Sequence, residues 1–189
     1  MDIPKPEIKE IKIHIRGTSS LIMHRWSEKA KKEMLAKQQK KASKGKEARN
    51  PKKDYEDSIY RFPDGRYCFP AVAFKSAAVR AAKQCEIAMT DARVFFHVNG
   101  LSGERDMIEI KGEPLMREDI VKLQGKTADL RYRAEFKDWE AVLNIRFNAR
   151  AISQEQILNL FQIAGFSVGV GEWRPERNGQ FGTFELVDS

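Results

Sequence analysis

The sequence predicts an α+β fold on a ferredoxin-like β-α-β-β-α-β plan, carrying a basic helical insertion and extra β-hairpins. Three observations predict it. Ile8–Arg16 alternates apolar and polar residues as a half-buried strand does. Ala71–Cys85 is an alanine-rich helical stretch behind Pro70, a residue suited to a helix start. The last third then reads strand, helix, strand, over Trp139–Phe147, Ile157–Ala164 and Gln180–Val187. Ala92–Val98, ARVFFHV, supplies the remaining strand.

In chain order, the first strand puts Ile11, Ile13 and Ile15 on one face and Lys12, His14 and Arg16 on the other. His14 therefore reads as an exposed strand residue. Gly17–Ser20 breaks the strand. Leu21–Trp26, LIMHRW, is too apolar for a free loop and is expected to pack back on the core. Ser27 is a candidate helix cap with Glu28 in the first turn. Met34 and Leu35 are almost the only apolar residues of Ser27–Lys53, and Ala42–Pro51, ASKGKEARNP, reads as a flexible tip. Residues 27–58 are thus taken as an insertion in one unit spanning 1–189, with a helical stem and a mobile basic end.

Ile59–Pro70 is a hairpin around Pro63-Asp64-Gly65. In the following helix Lys75, Arg80 and Lys83 are expected on the exposed side. His97 sits within the Ala92–Val98 strand at the edge of the core. Gly100–Arg105 is a turn and Met107–Lys111 a short strand. Glu113–Gly125 reads as loop, with one helical turn at Glu118–Leu123. Leu130–Phe136 and Trp139–Phe147 both alternate, and Lys137-Asp138 is expected to join them as a tight hairpin. Ser153 with Gln156 has the capping-box spacing. Ile157, Leu158, Leu160, Phe161 and Ala164 form the helix face, and Gly165 is expected to end the helix.

The charge is unevenly placed. The 189-residue chain carries a formal +7, with a pI near 9.4. Arg25–Lys53 holds twelve Lys/Arg against three Asp/Glu, a net of +9, which leaves −2 for the rest. One segment carries the whole excess, and an anionic partner is expected there rather than a merely solvated face. Cys68 and Cys85 cannot make a disulfide framework or a zinc site, and both read as small buried side chains. The three histidines offer no metal constellation, and no Walker loop is present, so no metal or cofactor is expected. No apolar run approaches the ~20 residues of a membrane span, and no signal peptide is visible. A cytoplasmic location is expected, the host cytoplasm for a phage-encoded chain.

The most telling stretch is Gly165–Leu186, GFSVGVGEWRPERNGQFGTFEL. Gly169, Gly171, Gly179 and Gly182 bracket Trp173, Arg174 and Arg177. Glycines cluster where backbone takes positive φ or passes close to another group. Guanidinium groups and an indole among them suit a sugar-phosphate chain with bases stacked beside it. Two roles compete for Trp173: a core plug against Ile157–Ala164, which is preferred, or a stacking surface. Arg174 is expected to face the ligand.

Helix, G-x-G, basic loop, then G-x-x-G into a final strand resembles the glycine-rich loop of the RAMP superfamily. These are the RRM-like proteins of CRISPR systems, including Cas7 backbone subunits and Cas6 nucleases. LIMHRW with GVGEWRPERNGQFGTFEL is also similar to a group of phage and prophage proteins of Cas7-like character. The resemblance lies at the two ends of the chain, roughly a quarter of it. It implies a non-catalytic, sequence-nonspecific binder of single-stranded DNA or RNA, able to form a homo-oligomer or filament on the strand. Such a protein would serve phage replication, recombination or a CRISPR-related task.

The phosphate-tracking residues would be Arg16, Arg25, Arg174 and Arg177, with Trp26 and Trp173 stacking on bases. His24, Lys31, Lys37, Lys40, Lys41, Lys75 and Arg80 complete the candidate interface. Two alternatives remain open. One is a metal-independent RAMP-type endoribonuclease with His24 as acid/base and Lys29 or Lys31 stabilising charge. The other is an interaction protein whose basic arm binds an acidic partner.

Overall fold

The computed structural model describes residues 3–26, 28–39, 49–101, 103–123 and 127–187. The proposed cap Ser27, the arm residues Lys40 and Lys41, most of the 42–51 tip and Gly125 lie outside the described residues. So do the side chains of Lys29 and Lys37.

The strands are β1 (Ile8–Gly17) and β2 (Leu21–Met23), then helices α1 (Glu28–Gln38) and α2 (Pro51–Asp57), β3 (Cys68–Pro70) and α3 (Ala71–Ala81). Next come α4 (Met89–Phe95), β4 (Phe96–Asn99), β5 (Met107–Lys111), β6 (Pro114–Leu123) and β7 (Thr127–Phe136). β8 (Glu140–Asn148), α5 (Gln154–Ile163) and β9 (Phe184–Leu186) close the chain.

The main sheet runs β3-β5-β8-β1-β9, with β4 also paired to β8, and every pairing is antiparallel. Four of its strands with α3 and α5 make the ferredoxin-like plan, in the spatial order β9-β1-β8-β4. Register explains why. Ile13 lies opposite Leu143 and Ile15 opposite Ala141, so the apolar faces of β1 and β8 coincide. Phe74, Ala77, Ala78 and Ala81 of α3, and Ile157, Leu160 and Phe161 of α5, are buried in the same core. Small alanines let α3 approach closely, and Phe74, fully buried, contributes about 1.5–3 kcal/mol. Ser153 and Gln156 make the expected capping box. Leu21, Ile22 and Met23 are buried, as their composition requires.

Five local expectations fail for physical reasons. Residues 113–125 are not loop: β6 pairs along its whole length with β7, from Pro114–Phe136 to Leu123–Thr127. Cross-strand pairing overrides the weak local pattern of PLMREDIVKL. β7 and β8 do not form a hairpin, since β7 joins β2 and β6 in a second, three-stranded sheet. Instead β5-β6 and β7-β8 are the two arms of one long bent hairpin. Ile110 pairs with Ala141 below the bend, and Pro114 with Phe136 above it. One arm therefore passes through one more residue than the other, as in a bulge, which bends a ladder. Gly112 (φ +138°) sits at that corner, where a side chain would strike the Asp138 carbonyl.

The strand expected at 92–98 is helical as far as Phe95 and extended only from Phe96. α5 does not stop at Gly165. It runs on as a π-helical turn, Ala164–Val168, and ends at Gly169 with φ +70°. Gly165 is needed for contact, because a Cβ there would collide with the Phe184 carbonyl. The last strand is only Phe184–Leu186, since the backbone of Phe181 and Gly182 bonds to Trp173 and Ser20 instead.

Cys85 is exposed, while Cys68 is buried and its thiol is pushed up to about 12, chiefly by desolvation. Iodoacetamide is therefore expected to label Cys85 in the native protein and spare Cys68 until denaturant is added. Native labelling of Cys68, read by peptide mass, would show that the β3 edge opens.

Candidate nucleic-acid interface

The glycine-rich loop follows α5 and closes on the β1–β2 connection. Val170 N–H donates to the Gly182 carbonyl (2.9 Å), Gly182 N–H to Ser20 (2.8 Å) and Glu172 N–H to Ile22 (3.1 Å). Gly169, Gly171 and Gly182 all have positive φ, which glycine adopts freely. Trp173 does so as well, at φ +56°, where an L-residue costs about 1–2 kcal/mol. The Trp173 carbonyl, accepting from Phe181 N–H at 3.0 Å, helps hold it there. Trp173 is 43% exposed, so it is no core plug; the buried indole is Trp139, whose Nε1 donates to the Ser19 carbonyl at 2.9 Å.

Arg174 braces the loop. Its Nη1 donates to the Gly171 carbonyl (2.9 Å) and its Nε to Glu176 (3.0 Å). Burial, with Arg177 and Arg80 nearby, lowers its proton affinity. Glu176 also pairs with Arg80, which ties the loop to α3. Arg177 is exposed, with no ion pair among the described residues.

Below the loop lies a charged network that the sequence reading missed. Arg133 of β7 is only 1% exposed. It donates to Asp119 of β6 (3.0 Å) and to Glu172 of the loop (3.3 Å), while its Nε has no acceptor. Burial lowers its proton affinity, against the pull of Asp119 and Glu172. Its guanidinium lies 5.9 Å from the centre of the Trp173 ring. Arg117 links Asp119 to Glu135. His24 Nδ1 is 3.7 Å from Glu172 Oε1. That contact is the main reason the Glu172 carboxyl is held below its usual value, in spite of burial.

Two clefts meet at His24. The first, about 300 Å³, lies between the loop and α3 and is lined by Ser76, Arg80, Gly169, Gly171, Glu172 and Arg174 among others. The second, about 330 Å³, lies between α2 and β7, with Arg25, Trp26, Asp57, Arg131, Tyr132 and Arg133 in its wall. His24 lines both. The structure thus brings His24, Arg25, Trp26, Arg80, Trp173 and Arg174 into one region. Gly179 serves the same loop: its N–H donates to the Arg174 carbonyl, and a Cβ there would strike Trp173.

Other candidates lie elsewhere. Arg16 pairs with Glu140 (3.1 Å) on the open face of the main sheet and lines a third cleft with His14 and Lys111. Lys75 is half-buried, lines neither of the two clefts, and lies close enough to His97 to lower its proton affinity beyond the effect of burial. Lys31 lies on the exposed α1. Among the described residues no group of His, Cys, Asp and Glu is placed to hold a metal ion, and no helix is long and apolar enough to cross a membrane.

No protein-family model matches the chain, and no curated protein matches it. Solved structures do. One similar chain belongs to the cryo-EM structure of the type III-B Cmr-beta bound to cognate target RNA. It is 11% identical, with a TM-score of 0.50, over 96% of this chain and 59% of that one. Another is the crystal structure of Cmr6 from Pyrococcus furiosus, 12% identical with a TM-score of 0.47, over 96% of this chain and 99% of that one. What this chain shares with the Cmr-beta chain is the fold.

Proposed function

We propose that the protein binds single-stranded RNA as a non-catalytic subunit of a CRISPR-type ribonucleoprotein. The observation that carries this reading is the glycine-rich loop, which holds a half-exposed Trp173 in strained backbone beside two clefts that meet at His24. A preorganised loop loses less entropy when a strand settles on it. Phosphates would track Arg177 and the basic arm, and bases would stack on Trp173 and Trp26. Target RNA in the Cmr-beta structure favours RNA over DNA. Copies lined along one strand belong to the same reading, as does service in a phage.

Salt-titrated binding to single- and double-stranded RNA and DNA tests it. Single-stranded RNA is expected to bind tightest, with the slope of log K against log salt steepening by ~0.7 per phosphate contact. Deleting residues 39–48, which carry Lys40, Lys41, Lys44 and Lys46, is expected to make the slope shallower. Equal affinity for heparin and for single strands would instead support an interaction protein with a basic arm.

One observation favours a second reading, a metal-independent endoribonuclease. His24 faces Glu172 as an acid/base group faces the carboxylate that orients it. RNA cleavage in the presence of chelator, lost in His24→Ala, would establish it.

A further inference from the structure

The second cleft has walls of a kind that backbone tracking does not need. Trp26 is 55% exposed and Tyr132 half-buried, so two aromatic rings border one opening. Asp54 and Asp129 are both committed to Arg49, and Asp129 also to Arg131. Ser58 Oγ is committed too, donating to the Tyr55 carbonyl at 2.6 Å and accepting from Ala134 N–H at 2.9 Å. Asp57 differs. It is half-buried in the cleft wall and has no ion pair among the described residues. A carboxylate without a cation, set beside guanidinium groups and aromatic rings, is a hydrogen-bond acceptor waiting for N–H donors.

Among nucleobases, guanine alone presents adjacent N–H donors on its Watson–Crick edge together with O6 and N7 acceptors on the other side. A carboxylate suits the first edge and a guanidinium, here Arg131, the second. The cleft's volume of about 330 Å³ is at the lower end of small-ligand pockets, the size range for one base. Its connection to the loop cleft through His24 gives a strand a route to deliver that base.

We infer that the second cleft holds a single guanine turned out of the bound strand, stacked on Trp26 and read by Asp57. This rests on the RNA-binding reading, and it adds base preference at one position to a surface otherwise indifferent to sequence.

The experiment compares the full chain on oligouridylate and on the same strand with one central uridine replaced by guanosine, adenosine or cytidine. One guanosine is expected to tighten binding about tenfold, and adenosine or cytidine much less. Asp57→Asn should abolish that gain while leaving affinity for oligouridylate within about twofold, and Trp26→Ala should abolish it while weakening binding to all four strands alike. Both side chains are accessible, and unchanged far-UV circular dichroism would confirm that the variants fold. Equal binding of all four strands overturns the inference, as does a guanosine gain that survives both substitutions. Failure of every strand to bind overturns the RNA-binding reading instead. Guanosine monophosphate then probes the cleft directly: saturable quenching of tryptophan fluorescence, absent in Trp26→Ala and weaker with adenosine monophosphate, supports the pocket, and no quenching removes it.

Discussion

Arg133→Ala is expected to cost about 3 kcal/mol of folding stability, the lower end of what breaking a buried ion pair costs. The side chain is 2% exposed and is shared by Asp119 and Glu172. Its removal empties a packed site and strips one cation from two carboxylates. Both keep a second partner, Asp119 in Arg117 and Glu172 in His24, which is why the lower end applies. Arg133→Lys should recover only part, since an ammonium cannot reach two carboxylates with a planar fork. Urea unfolding measures this as a drop in midpoint at an unchanged m-value. The effect has a pH signature. The Glu172 carboxyl is held below its ordinary value, first by His24 and further by Arg133, so the share that Arg133 contributes is present at neutral pH and is lost as pH falls through that lowered value. The gap between wild type and variant should therefore narrow in acid. A neutral-pH difference under 1 kcal/mol would show that the network is solvated in solution.

Trp173→Ala is expected to weaken single-strand binding by about 1–3 kcal/mol and to leave stability within about 1 kcal/mol. The residue is 43% exposed, so little buried apolar surface is lost. Trp173→Asn is the sharper variant: Asn tolerates left-handed backbone, so the loop keeps its path while the ring is gone. Trp173→Gly should be at least as stable as wild type where the φ of +56° is the dominant cost. Anisotropy titration with labelled RNA and a thermal melt separate the outcomes. Wild-type affinity in both Trp173→Ala and Trp173→Asn would reduce the loop to a structural closure. A loss of several kcal/mol in stability would return Trp173 to the role of a plug.

The ferredoxin-like order was legible because its strands and helices announce themselves locally. Ile11, Ile13 and Ile15 alternate, Ser153 caps, and the alanines of 71–82 leave room for a close helix. The second sheet was not legible. Its pairing of Arg117 with Arg133 and of Asp119 with Arg131 puts charge on a face with no apolar period. Only the partner strand reveals why those charges converge. Gly169, Gly171 and Gly182 take the positive φ that clustered glycines suggest, but glycine spacing does not show that Arg174 bonds inward to Gly171 or that Trp173 stays out. Glu172 stands between Gly171 and Trp173 in that loop. A carboxylate inside a basic loop was the clue to a buried arginine beneath it.

The strand order also bears on how the chain is made. β1 is synthesised long before its hydrogen-bonding partners, β8 and β9. Until those arrive, Ile13 and Ile15 have no sheet to join. The bent hairpin β5–β8 has its partners close in sequence and so closes its loop at small entropic cost. Synthesis should thus yield a structured central ribbon while the N-terminal strand waits unpaired, exposed to whatever else offers a β-edge. Pulsed hydrogen exchange during refolding would register this as amide protection in β6 and β7 ahead of β1. Simultaneous protection of all three would mean that β1 pairs with its distant partners as the ribbon forms.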